Sequence, residues 1–183
     1  LIVIMADDLG YNDVGFNGCT EIPTPGIDSI AQNGVKFTNG YTSYSVCGPS
    51  RAGFITGRYQ QRFGFERNPQ WNLTDPNSAL PKSEMTIAES LTQVGYHCGI
   101  IGKWHLKKEP SGFDYYNILH DQGRYWDPIL RTEKNFHKPS DEWDVHKGFS
   151  TDVIADLSMK WLDTIDREKP FMLMTHFKAT HEP

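Results

Sequence analysis

The chain has 183 residues, enough to bury the core of one domain or part of a larger one. Its 38% hydrophobic and 22% charged content is that of an ordinary globular protein, and a net charge of -5 leaves no electrostatic footprint for nucleic acid. No apolar run is long enough for a transmembrane helix, and Cys19, Cys47 and Cys98 lack the Cys-x-x-Cys spacing of a zinc knuckle and the even count of a disulfide framework.

The first six residues, LIVIMA, form a continuous apolar run that predicts a strand buried on both faces. Residues 24–34 predict a helix with Thr24 as N-cap, Pro25 in the first turn and Gly34 as stop. Residues 35–42, VKFTNGYT, read as a short strand or extended segment. A second helix opens at the Gly-Pro after Cys47 and stops at Gly57, which puts Cys47 at or just before a helix N-terminus. Residues 86–95 carry a capping box, Thr86 with Glu89, and an apolar face of Ile87, Leu91 and Val94. A strand follows over YHCGIIG. Residues 107–148 are polar, aromatic and rich in Gly, Pro and Asp, and predict a long irregular, ligand-facing segment. Ile154, Leu157, Trp161 and Ile165 share one side of a helix over 150–165, and FMLMTHF predicts a closing strand. Strands alternating with helices make this an α/β fold with a mainly parallel sheet flanked by helices. The chain enters directly on a strand and stops just after one, so it reads as the N-terminal part of a longer protein with no legible targeting signal.

Four short motifs follow a strand or open a helix, where open α/β sheets bind ligands. Asp7 and Asp8 are adjacent carboxylates at a strand end; a lone pair of this kind is better explained by a helix cap or turn, but two such charges suit a hard cation, calcium or magnesium. Cys47 at a helix start, with Arg51 one turn later, is either a small buried residue or an activated group. Cys19 and Cys98 have no such neighbours and read as structural. In GIIGKWHL, Lys103 and His105 alternate on an extended backbone and so face one side, suiting an anion and proton transfer, or simply a strand end. His181 follows the last strand, with His176 and Lys178 before it. Tyr115, Tyr116, Tyr125 and Trp126 are aromatic candidates for stacking on sugars, or for packing. Asn72-Leu73-Thr74 is a glycosylation sequon.

Together these motifs resemble those of the sulfatases of the alkaline-phosphatase-like superfamily, over essentially the whole chain. CGPSR is similar to their Cys-x-Pro-Ser-Arg signature, GYHCGIIGKWHL to their second signature with Cys98 at a Ser or Thr position, ADDLG to their first metal-ligand pair, and ATHEP to their Ala-Pro-His-x-Pro segment with Thr180 replacing Pro. The resemblance implies a sulfatase that hydrolyses sulfate monoesters of a small molecule or glycan. It implies Cys47 oxidised to Cα-formylglycine by a maturation enzyme, and Ca2+ (or Mg2+) held by Asp7, Asp8 and the modified Cys47. Arg51, Lys103, His105 and His181 would act on the hydrate and the sulfate. It also implies export, to a periplasm or outside the cell. A phosphatase or phosphonate monoester hydrolase of the same superfamily and an inactive glycan-binding homologue are the rival readings; a thiol redox protein is disfavoured by the missing Cys-x-x-Cys.

Overall fold

The computed structural model describes residues 1–69 and 79–183, so the Asn72 sequon lies outside the described residues. Six strands form one sheet: β1 (Ile2–Asp7), β2 (His97–Gly102), β3 (Tyr115–Leu119), β4 (Ile129–Arg131), β5 (Asp144–Val145) and β6 (Phe171–Thr180). Their order is β1-β6-β2-β3-β4-β5. The β1–β6, β6–β2 and β2–β3 pairs are parallel, and β3–β4 and β4–β5 are antiparallel. This is the expected mainly parallel α/β sheet.

Helices cover both faces. α1 (Pro25–Asn33), α2 (Cys47–Thr56), α3 (Ile87–Thr92) and α4 (Ser150–Thr164) are separated from the strands by loops and short 3-10 turns. Residues alternate along β2 and β6, so Ile100, Met172 and Met174 enter one core with Ala52, Ile55 and Ala88. Ile101 and Leu173 enter the other with Ile154 and Trp161 of α4. Burial on both faces explains the unbroken apolar runs of these two central strands.

β1 departs from that expectation. Val3 packs on the first core, but Ile2 is 50% and Ile4 62% exposed. The strand sits at the sheet edge, while α4 lies over β6 and β2 and leaves its outward face bare. Residues 35–42 form no strand, and Val35, Phe37 and Tyr41 are exposed. The stretch expected to be irregular holds β3, β4 and β5, a partly antiparallel extension whose short strands are hard to see between turns.

The predicted helix ends are largely kept. Thr86 accepts from the Glu89 N–H at 3.1 Å while the Glu89 carboxylate accepts from the Thr86 N–H at 2.7 Å, a complete capping box. α3 ends at Thr92, so Val94 lies beyond it and is exposed. At α1 the Thr24 hydroxyl does not cap the helix; it accepts from the Gly15 N–H and donates to Asp28.

Candidate active site

The parallel strands carry their C-terminal ends to one edge, and Asp7 is the last residue of β1 there. Its carboxylate is 6% exposed and lies between two cations from distant segments. Arg51 Nη2 donates to Oδ1 at 3.1 Å, and Lys103 Nζ donates to Oδ2. Burial works to raise the Asp7 pKa, but Arg51 and Lys103 outweigh it and hold the carboxyl below the usual carboxylate range. Lys103 is fully buried, one residue past β2.

Gly102 makes this placement possible. Its φ is +103°, and a Cβ there would lie 1.9 Å from the His176 carbonyl oxygen. The close approach lets the Lys103 N–H donate to that carbonyl at 2.7 Å as the chain turns off β2. The expected strand alternation therefore does not continue: His105 is left-handed, with φ 53°. A turn brings Lys103 and His105 into the same buried neighbourhood instead.

Cys47 is the first residue of α2. Its Sγ is 3.1 Å from His105 Nδ1 and 3.4 Å from Asn68 Oδ1. Asn68 Oδ1 also accepts from the Gly48 N–H at 2.8 Å, so a side chain from beyond the helix satisfies one of its free N–H groups. A Cβ on Gly48 would meet Asn68 and Pro69 at 2.9 Å, which gives the second residue of CGPSR a steric reason. Burial, with Lys103 nearby, pushes the His105 pKa down to about 4, and Nε2 of the ring lies 3.4 Å from Asp121 Oδ1.

Arg51 reaches away from Cys47. Nη1 donates to the Lys103 carbonyl at 2.6 Å and lies 3.1 Å from His176 Nδ1. His176 is fully buried, and burial, with Arg51 beside it, pushes its pKa down to about 3. Nδ1 of this ring faces both the Arg51 guanidinium at 3.1 Å and the Lys103 carbonyl oxygen at 3.2 Å. The expected pairing of Arg51 with Cys47 is thus replaced: a long side chain in the second turn of the helix spans to the strand edge, where Asp7 offers a full charge.

His181 follows β6. Its Nε2 is 3.7 Å from Asp8 Oδ2, and its backbone carbonyl accepts from the Tyr125 hydroxyl. Lys178 is buried, donates to the Glu182 carbonyl at 2.9 Å and stands over the Tyr125 ring at 4.8 Å. Asp7, Asp8, Cys47, Ser50 and Arg51 line one cavity of about 530 Å³.

A family model described as Sulfatase matches residues 1–183. The chain belongs to the sulfatase family. It is 37% identical over 189 residues to an N-acetylglucosamine-6-O-sulfatase of Bacteroides thetaiotaomicron, covering 99% of this chain and 30% of that protein. It is 35% identical over 198 residues to arylsulfatase J of Mus musculus, covering 100% of this chain and 32% of the relative. The chain therefore spans about a third of the length of these relatives. Among solved structures, a protein in complex with its substrate D-glucosamine-2-N,6-O-disulfate superposes with a TM-score of 0.85 at 36% identity, over 100% of this chain and 34% of that one. A second, in complex with a neocarrahexaose, gives 0.87 at 28% identity, over 100% and 45%.

In this sulfatase chain the expected residues gather at one sheet edge, but the expected metal ligands do not meet. Among the described residues no group of three or more His, Cys, Asp or Glu stands close enough together to hold a metal. Asp7 is turned to Arg51 and Lys103, and Cys47 to His105, so the expected trio Asp7, Asp8 and Cys47 shares a cavity without converging on one point. The cations that offset Asp7 come from across the chain, which local sequence could not show. The aromatic candidates divide. Tyr116 is buried and donates to Glu109, Tyr115 packs against Trp161, Tyr125 stacks on Phe149 at 5.4 Å, and Trp126 is 69% exposed. Sequence reasoning passed over Asn68 and Asp121, and noted His176 without giving it a role. Only His176, inside the last motif, had a visible signal. Cys98 is buried, and burial pushes its thiol up to about 11, in keeping with a structural role, whereas Cys19 is only half-buried.

Proposed function

We propose that the protein hydrolyses sulfate monoesters on a carbohydrate, using Cys47 as a formylglycine precursor. The observation that carries this reading is the buried convergence at the carboxyl edge: Cys47 Sγ stands 3.1 Å from His105 Nδ1 beside the Asp7–Arg51–Lys103 cluster. The Cys47 sulfur stands where the formylglycine oxygens would be. A formylglycine hydrate supplies two hydroxyls, one to attack sulfur and one whose deprotonation expels sulfate. Lys103 and Arg51 bring two positive charges to a place where the equatorial oxygens of a sulfate ester need neutralising. His105 takes or returns a proton at Nδ1, and His181, 3.7 Å from Asp8, protonates or holds the departing oxygen.

Asp7 and Asp8 fit a divalent cation in kind. Both are carboxylates lining the cavity beside Cys47, and all-oxygen donors suit calcium or magnesium. Two carboxylates fall short of the roughly six to eight ligands calcium takes, so further donors must complete the shell. Bound there, the cation would supply charge that polarises position 47 and the sulfate. Support for a sugar substrate comes from the relative named for N-acetylglucosamine 6-O-sulfate chemistry and the structure holding a sulfated glucosamine. No helix among the described residues is long and apolar enough to cross a membrane. Export and maturation by a formylglycine-generating enzyme belong to the same proposal.

The test is peptide mass spectrometry of Cys47 in the full-length protein co-expressed with a maturation enzyme, alongside sulfate release from glucosamine 6-O-sulfate. Formylglycine at position 47, activity lost in chelator and restored by Ca2+, and faster sulfate than phosphate release are expected. An active protein with only the unmodified thiol would overturn the reading. Cys47→Ser should keep the fold and lose turnover, because serine has one hydroxyl where the reaction needs two.

A further inference from the structure

We propose that Asp121 is a positioning residue that fixes the orientation and tautomer of His105, so that Nδ1 is presented to position 47. The inference rests on the sulfatase reading above and adds to it a residue outside the four motifs.

The geometry is a chain of three groups. Asp121 Oδ1 lies 3.4 Å from His105 Nε2, and His105 Nδ1 lies 3.1 Å from Cys47 Sγ. A carboxylate can only accept, so its partner Nε2 carries the hydrogen. In a neutral ring Nδ1 is then the free acceptor, and it is the atom that faces position 47. At 3.4 Å the two groups are in charge-pair contact, and such contacts in ligand-free sites are often long and tighten only when substrate binds.

The surroundings enclose the His105 ring, and the backbone holds the segment that carries Asp121, whose side chain is 43% exposed. His105 is 3% exposed and its backbone is left-handed, φ 53°. Asp121 is also left-handed, φ 53°, in the connection between β3 and β4. That connection is pinned by the His120 N–H on the Ile129 carbonyl at 3.2 Å and the Gly123 N–H on the His120 carbonyl at 2.9 Å. The His120 ring packs on Trp143 with centroids 4.4 Å apart. The same connection carries Tyr125, whose hydroxyl holds the His181 carbonyl. One segment between two antiparallel strands thus touches both histidines of the site, which gives this extension of the sheet a catalytic reason to exist.

In the reaction, His105 Nδ1 takes the O–H proton at position 47. The electron pair of that O–H bond closes the carbonyl as the C–O bond to sulfate breaks, and sulfate leaves with its electron pair. The ring becomes an imidazolium, and the negative charge of Asp121 stabilises it until the proton passes to water. An acid that orients a base in this way is the third member of many nucleophile–base arrangements.

The test uses Asp121→Asn, a residue that tolerates the left-handed conformation, in the full-length protein. Asparagine can turn its NH2 toward Nε2, which reverses the demand on the ring. 15N NMR of histidine-labelled protein should show His105 protonated on Nε2 in the wild type and moved toward Nδ1 protonation in the variant. This readout does not depend on turnover. On a sulfated sugar the variant should lose roughly 10²-fold in kcat, the lower range for a general base, with KM within about threefold. An unchanged His105 tautomer, or an unchanged kcat, would overturn the proposal. A variant that lost kcat and KM together with its thermal melt would assign Asp121 to folding alone and overturn it as well. If the wild type released no sulfate from any ester while the tautomer still followed Asp121, the sulfatase reading would fail and the Asp121–His105 contact would stand.

Discussion

Asp7 is neutralised by two side chains from separate elements, Arg51 of α2 and Lys103 just past β2, and this makes the site a balance of buried charges. Lys103→Ala leaves the Asp7 carboxylate buried with Arg51 as its remaining cation. Breaking such a pair should cost about 3 kcal/mol or more, read as a lower urea midpoint. Sulfate release should also fall by roughly 10²-fold, as for loss of one transition-state donor. A variant of full activity would remove Lys103 from the site. His176 gives a pH prediction. Its pKa is about 3 in the fold against an ordinary 6.5, so between these values the unfolded chain binds more protons. Stability is therefore full above about pH 6.5 and falls as pH drops through the window toward 3. His105 contributes with the same sign down to about 4. His176→Gln keeps an acceptor for Arg51 and should flatten the dependence of melting temperature on pH in that range; an unchanged slope would show that another group takes up the proton. At this scale the sequence was legible in identity but not in direction. The types and order of Asp7, Cys47, Arg51, Lys103, His105 and His181 were readable. That Arg51 turns from Cys47 to Asp7 depends on which charge lies within reach in three dimensions.

The helices were legible where capping chemistry is local. Thr86 and Glu89 announce α3 because both halves of the box lie within one turn. α2 was legible through its proline and closing glycine, but its N-terminal partner, Asn68, lies 20 residues past Gly48 and carries no local signature. The strands β3 to β5 were missed because short pieces between turns lack the long apolar runs of β2 and β6. Gly102 is the element-scale hinge, ending β2 and seating Lys103. Gly102→Ala would set a Cβ 1.9 Å from the His176 carbonyl in a left-handed residue. The strained conformation and the overpacking together should cost at least about 2 kcal/mol. Sulfate release should fall further than the folded fraction does, because Lys103 is displaced. Equal losses would mean that the turn is merely structural.

At the scale of the molecule, the parallel order was legible from alternating strands and helices, and so was the gathering of motifs at one edge. The exposure of the first strand was not, because an apolar run does not say which neighbours will cover it. Among the described residues β1 has one paired edge and one open one, so a row of its backbone N–H and C=O groups faces outward. Ile2 and Ile4 stand on that strand, and Val35, Phe37 and Tyr41, at 79%, 81% and 87% exposure, add further bare apolar surface. Such an edge is a template for another strand. Prepared as a 183-residue polypeptide alone, the chain should therefore be sticky. Sedimentation should show weight-average mass rising with concentration, and a lysine at Ile4 should suppress the rise. A monomer at every concentration would mean that the open edge is protected by its own twist. The strand that delivers Asp7 to the chemistry is thus also the place where a lone copy is most prone to polymerise.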